Sequence, residues 1–373
     1  MKRQTWLTLS ICPSKSVWGM GSAFLLAGAL ECLHAQNPAP GSQQATNAIL
    51  QQTDRLKAEQ SLKSEKAAPE QGEAAPETYP GESADLGPQM LLKKKKRSPL
   101  FEANADTMVM WTSNALASPW GQARDTAIFA ETASLSLAPQ AIDLGPGKLS
   151  LRAGYRHVFW TYDLRNTASV NDVPLNFFNF QVSTAFVNAR YNFLEKWNAS
   201  MGLDYTRVMS ARTDAKWRYQ RLVGPMGFWQ ESYVDFTPNW SLDRSFSLGE
   251  KVGLTVGYNG AYHFSETDRG NSLDKLDSGV SASLMILPTE KFLISPSVRF
   301  THGLFTRTQS FSDPGQHRRT TLVSPGLTFM WMPNPRVSAR AGLSADFFRS
   351  NDPDQPSYNK FDVSSGVSLT FKF

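Results

Sequence analysis

Cysteine is almost missing from this chain, which has Cys12 and Cys32 and no other. Both precede Ala35, so a mature chain starting after that residue has no disulfide and must find its stability elsewhere. A long apolar run is missing too. The uncharged stretch Ser16 to Leu30, "SVWGMGSAFLLAGAL", is too short to cross a bilayer as a helix. Nor is there a charge imbalance to explain the pI of 9.1. From Asn104 onward 26 Lys and Arg face 23 Asp and Glu, and residues 36 to 103 carry nine of each sign, so no basic face with interleaved aromatics exists and nucleic acid is excluded as a partner.

Aromatic rings are what the chain does have. With 41% hydrophobic residues it carries 10 Trp, 10 Tyr and 23 Phe. A soluble protein would bury such rings between two sheets, whereas a membrane barrel shows them to lipid. The N-terminus speaks for export: Lys2, Arg3 and Lys15 precede the short apolar run, as in a secretory signal. Cleavage is expected after Ala35 in "LHA", with "AGA" ending at Ala29 as the rival, which makes residues 1–35 a signal peptide. Glu31 beside Cys32 argues against a lipid anchor.

Residues 36–103 are expected to form a disordered periplasmic linker. Gln, Ala, Pro, Glu and Lys dominate, and Tyr79 and Phe101 are its only aromatics, so there is little apolar surface to offset the entropy of ordering. A thin helical pattern through Ile49, Leu56 and Leu62 fits a fraying solvated helix or a short coiled coil. Lys93 to Arg97, "KKKKR", reads as a solvated spacer or as a contact with anionic head groups.

From about residue 104 the pattern changes to alternating segments of about ten residues, the length a tilted strand needs to cross a bilayer. In "KVGLTVGYNGAYHF", Val252, Leu254, Val256, Tyr258, Tyr262 and Phe264 fall on one face and Lys251, Gly253, Thr255, Gly257, Asn259 and His263 on the other. Twelve such segments follow one another, the two nearest the start, "DTMVMWTS" and "DTAIFAETASLSL", being the weakest. Their connections alternate in length. Short ones such as "LEKW" (194–197), "PTEK" (288–291), "MPNPR" (332–336) and "DRSFSLGE" (243–250) are interleaved with long polar ones such as "ARTDAKWRYQRLVGPMG" and "RTQSFSDPGQHRR". An outer-membrane barrel has this habit, and an even strand count leaves both termini on the short-turn side.

The rings fall into two groups. Trp197, Trp240, Phe292, Trp331, Phe371 and Phe373 lie near short turns, and Phe159, Trp160, Phe178, Phe180, Tyr262, Phe264 and Phe347 near long loops, as two head-group belts require. The chain ends "SSGVSLTFKF", with Phe373, Phe371, Leu369, Val367 and Ser365 on one face. This ending resembles the terminal signature of bacterial outer-membrane β-barrel proteins. The resemblance implies an all-β fold, a closed antiparallel transmembrane barrel of twelve strands over residues 104–373, located in the cell outer membrane. It also implies recognition of the final aromatic residue by the barrel-assembly machinery.

Some residues fit this pattern badly. Pro238, Pro296 and Pro325 fall inside strands, where each removes a ladder donor, and bulges are expected there. Glu131 falls on the lipid-facing register, which calls for a bulge before it or a different register.

Facing inward on this register are Arg152, Arg156, Arg190, Lys251, Arg299, Arg340 and Lys372, against Asp204, Glu231, Asp235, Asp346 and Asp362. Arg152, Arg156, Arg190, Asp204, Asp235, Lys251, Arg299 and Arg340 are the candidate pore-lining residues. Mixed charge also suits an interior that merely satisfies itself, with Arg190 pairing Asp204 across a hairpin. A passive pore for small polar solutes is the expected function. The alternatives are a closed structural or adhesive barrel acting through its loops, and a rim hydrolase using His157, His263 or His302, although Ser265 near His263 has no third group evident. No catalytic residue, metal or cofactor is assigned. Asp352 and Asp354, with Asp346 and Asp362, offer calcium ligands but equally ordinary turn chemistry. Arg212, Lys216, Arg218, Arg221, Arg318 and Arg319 on the outer loops reach lipopolysaccharide phosphates or simply keep the loops solvated, and outer-membrane lipid surrounds the wall. Association of barrels into oligomers is left open.

Overall fold

The computed structural model describes residues 100–115, 125–162, 169–170, 173–174, 179–194, 196–211, 229–267, 274–309, 317–352 and 357–373. The signal segment, the linker to residue 99, the Lys93–Arg97 cluster, Phe178, Asp354 and the loop cations Arg212 to Arg221 lie outside these residues.

Alternation becomes twelve long strands: β1 (Phe101–Thr112), β2 (Thr126–Leu137), β3 (Gly147–Tyr162), β4 (Phe180–Phe193), β5 (Trp197–Ala211), β6 (Trp229–Ser247), β7 (Val252–Thr267), β8 (Lys275–Thr289), β9 (Phe292–Gln309), β10 (His317–Asn334), β11 (Val337–Ser350) and β12 (Tyr358–Lys372). Each pairs antiparallel with the next, and β12 pairs with β1, so the sheet closes on itself. Closure leaves no edge, and in hydrocarbon each unpaired backbone group costs several kcal/mol. The strands run from 12 to 19 residues, longer than the bilayer requires. Segment 243–250, expected as a connection, is mostly the end of β6, and the turn is confined to 248–251.

The first strand begins at Phe101, three residues before the expected boundary, because its partner is the chain's end. Phe101 accepts a hydrogen bond from the Phe373 amide at 3.0 Å and donates one to the Phe373 carbonyl at 2.8 Å, and their rings stack at 6.1 Å. The terminal phenylalanine thus clasps the seam between first and last strands. On the β2–β3 connection a small hairpin pairs Ile142–Leu144 with Gly147–Leu149. Gly145 turns it at φ 57, a conformation that glycine reaches without steric cost.

Period-two alternation then assigns the two faces. On β12, Val363, Val367, Leu369 and Phe371 are exposed, whereas Asp362 and Ser368 between them are buried. The same holds on β7, where Val256, Tyr258 and Phe264 are exposed and His263 and Ser265 are buried. Apolar side chains outside and polar ones inside are the reverse of a soluble protein and suit a wall standing in lipid.

The prolines are not at bulges. The β6–β7 ladder steps over Pro238, from Ala261↔Asn239 to Phe264↔Phe236, without a change of register, while Pro238 stays paired with Leu203 of β5. Pro296 and Pro325 likewise interrupt one flanking ladder and keep the other. A residue with no N–H can break only the ladder its N–H would have faced. Register shifts occur instead near strand ends, as between Val208 and Met209. Glu131 also needs no bulge. It pairs with Thr107 and Phe159 in unbroken register and is exposed on the outer face.

Candidate functional site

The interior of the cylinder is where chemistry can act on a solute, and its lining is uneven. On the outer halves of β1 to β5 the inward positions are apolar. Met108, Met110, Ile128, Val158, Trp160 and Phe180 pack there, each no more than 9% exposed. Trp160 stacks on Phe180 at 5.7 Å, and Tyr162 approaches the same ring at 6.1 Å. This corrects the expected belt, since Trp160 and Phe180 point inward, not to lipid. The residues after β1 join them: Ala115 lies in the cluster, and the Asn114 side-chain amide donates to the Asn359 carbonyl at 3.4 Å. A second apolar patch, Leu293, Met330 and Met332 with Met285 and Leu287 against it, occupies the short-turn end of β8 to β10. In a twelve-strand cylinder β3 stands opposite β9. The two patches therefore lie on opposite walls at opposite ends.

Between them the inner wall is polar and heavily paired. Arg340 of β11 reaches Asp106 of β1 at 2.5 Å, crossing β12 over Gly366, where only a glycine leaves room. Lys360 is held by Asp362 at 3.0 Å and Asp346 at 3.4 Å. Near the short-turn end Glu102 takes Arg152 at 2.8 Å and Lys372 at 3.2 Å. Toward the loops, Arg318 approaches Asp352 at 3.7 Å and lies 4.3 Å from the Phe305 ring. The carboxylates weighed as calcium ligands, Asp346, Asp352 and Asp362, thus face cationic side chains, and the described residues gather no metal-binding cluster.

Seven of the eight candidate lining residues lie on inward registers of their strands: Arg152, Arg156, Arg190, Asp204, Asp235, Arg299 and Arg340. Arg190 is paired in the ladder with Ser200, not Asp204, which sits four residues further along β5. Lys251 is different. It belongs to the turn before β7, is exposed, and donates to the Pro288 carbonyl at 3.4 Å, so it sits at the rim. The Glu231 side chain lies outside the described residues. Sequence reasoning missed Asp106, Lys275, Asp277 and Lys360, although the alternation that assigned Asp362 also assigns Lys360 two residues before it.

The three histidines separate. His157 is on the outer face, hydrogen-bonded to Ser183 at 2.9 Å and Gln181 at 3.1 Å. His302 is also outward, 3.3 Å from the Thr321 hydroxyl. Only His263 faces inward, between two carboxylates: Nδ1 lies 2.8 Å from Asp235 and Nε2 3.2 Å from Asp277. Ser265 donates to Asp235 at 2.8 Å. A serine nucleophile would have to give its proton to the imidazole, and here both imidazole nitrogens face carboxylates while the serine bonds to one of them.

One stretch of the inner wall is neither apolar nor filled. Along β8 to β12 most inward positions at mid-height are small, Ser281, Ser283, Ser297, Ser324, Gly326 and Ser344, with Arg299 and Arg340 standing among them. Ser297 is exposed, although its face is the inner one: a Cβ placed on the paired Gly326 would lie 3.4 Å from the Ser297 hydroxyl. Water therefore reaches this wall.

A closed antiparallel cylinder, apolar toward its surroundings and charged within, joined at its seam by a terminal phenylalanine, has the architecture of an outer-membrane β-barrel. No protein-family model matches the chain, and no curated protein matches it. Solved structures do resemble it. An outer membrane channel from Pseudomonas putida is 12% identical with a TM-score of 0.48, over 74% of this chain and 97% of that one. The translocator domain of the autotransporter NalP from Neisseria meningitidis is 13% identical with a TM-score of 0.39, over 74% and 90%. LpxR from Salmonella typhimurium is 10% identical with a TM-score of 0.39, over 72% and 99%. At these values the likeness concerns architecture and does not bear on what the barrel does.

Proposed function

We propose that this barrel is a passive outer-membrane channel for small polar solutes. The exposed Ser297 on the inner face carries the proposal. Most of its inward neighbours at mid-height on β8 to β12 are Ser and Gly, too small to fill a twelve-strand cylinder, with the half-buried Arg299 among them. The two apolar patches on opposite walls would leave a slanted polar route, entering beside β8 to β12 and leaving beside β12 to β4. Export through the signal segment, insertion by the barrel-assembly machinery through Phe373, and contact with lipopolysaccharide on the loop side belong to the same proposal. The purified full chain in a planar bilayer should give discrete conductance steps in potassium chloride. A silent bilayer containing folded protein would refute it.

One observation favours a second possibility, a closed structural barrel. The Trp160–Phe180 cluster caps the outer half of one wall and draws Ala115 inward onto it. Replacing Trp160 and Phe180 by alanine distinguishes the two. A channel already open conducts before the change, and a closed barrel conducts only after it.

A further inference from the structure

Inward-facing charge is nearly balanced by count but not by position. Among the described residues, the carboxylates of Glu102, Asp106, Asp235, Asp277, Asp346 and Asp362 are all buried, and only Asp204 and Asp243 of the inward acids are half-buried. The inward cations behave differently. Arg152, Arg156, Arg190 and Arg299 are half-buried, as is Lys275, and Lys372 is exposed. Within single pairs the same ordering holds: the Arg152 side chain is 34% exposed and that of Lys372 44%, against 11% for the Glu102 they share. Lys275 is 19% exposed and its partner Asp277 8%. Arg318, Arg340 and Lys360 are placed about as deeply as the acids they accompany, the Arg340 and Asp106 side chains being 10% exposed alike.

The cause is side-chain length. An aspartate ends close to the wall, whereas arginine and lysine extend several methylenes and keep their charged heads in water. A lining of equal composition thus presents positive charge to the solute and negative charge to the wall behind it. Four of the six more accessible cations, Arg152, Arg156, Arg190 and Arg299, are arginines, whose planar donors match carboxylate and phosphate oxygens.

Building on the channel proposed above, we infer that the lumen selects small anions over cations, with Arg152 and Lys372 at its short-turn exit among the residues that set the preference. A potential of about one kT along the route enriches anions over cations roughly sevenfold.

Reversal potentials across a potassium chloride gradient test this on the full chain in planar bilayers. Wild type should be anion-selective. The double variant Arg152→Gln/Lys372→Gln leaves Glu102 without these two cations and should lose most of that preference or become cation-selective, with conductance steps kept. Lys372→Gln alone, near the chain end and exposed, should shift selectivity the same way by less and guards against misfolding of the double variant. Glu102→Gln should strengthen the anion preference. Steps that show no selectivity, or selectivity unmoved by these variants, would overturn the inference while leaving a channel. A bilayer with no steps would overturn both.

Discussion

Two walls of one cylinder, built on the same alternation, solve different problems. On the outer halves of β1 to β5 the inward residues are Met, Ile, Val, Trp and Phe, packed to 2–9% exposure. At mid-height on β8 to β12 they are mostly Ser and Gly, with Arg299 and Arg340 among them and water reaching Ser297. Behind the apolar inner wall the outer face is mixed, with Thr107, Glu131, His157 and Ser183 beside Val109 and Trp111, whereas β12 shows Val363, Val367, Leu369 and Phe371. One wall is therefore stabilised by its interior, and the other must be stabilised by its ladder and ion pairs. Alternation by itself guarantees a two-faced strand, and composition decides what each face does.

Removing bulk from the packed wall should therefore cost most. Phe180→Ala is expected to lower unfolding stability by about 4 kcal/mol, measured by urea titration into lipid vesicles. Ser297→Ala on the open wall should change it by less than about 0.5 kcal/mol in the same assay. Next comes the pair that ties β11 to β1 across the open side: Arg340→Ala leaves the buried Asp106 unpaired and should cost about 3 kcal/mol. Third, Glu131→Leu on the lipid face of the packed wall should stabilise the barrel by about 1 kcal/mol, seen as a higher temperature for the gel-mobility shift of unboiled protein. An effect of similar size and opposite sign is expected at Gly260. The cross-strand Trp240 indole lies over it, so Gly260→Ala would displace the ring and cost about 1 kcal/mol by urea titration.

Much of this was legible in the sequence, for identifiable reasons. The last strand and its seam followed from period-two residues ending at Phe373, whereas the bulge or changed register expected at Glu131 is absent, the residue standing outward on an unbroken ladder. Trp160 and Phe180 were misplaced because the end of β3 is apolar on both faces: Val158, Trp160 and Tyr162 point in while Phe159 points out. Where both faces are apolar, alternation finds the strand but cannot name the side facing lipid. The prolines failed for another reason, since nothing local shows which neighbour will give up its hydrogen bonds. Lys251 has the parity of a lining residue but stands in a turn, where parity no longer fixes direction. The ion pairs were out of reach as partners, because Arg340 and Asp106 meet only after the sheet has closed.

Adjacent positions on β9 test the central claim most directly. In a chain with Cys12 and Cys32 replaced by serine, Ser297→Cys and Val298→Cys are each treated with a membrane-impermeant thiol reagent in proteoliposomes. The sidedness described here requires rapid labelling at 297 and protection at 298. Labelling at 298 with protection at 297 would mean the cylinder turns its polar face outward, and neither a lumen nor a lipid-facing wall would remain.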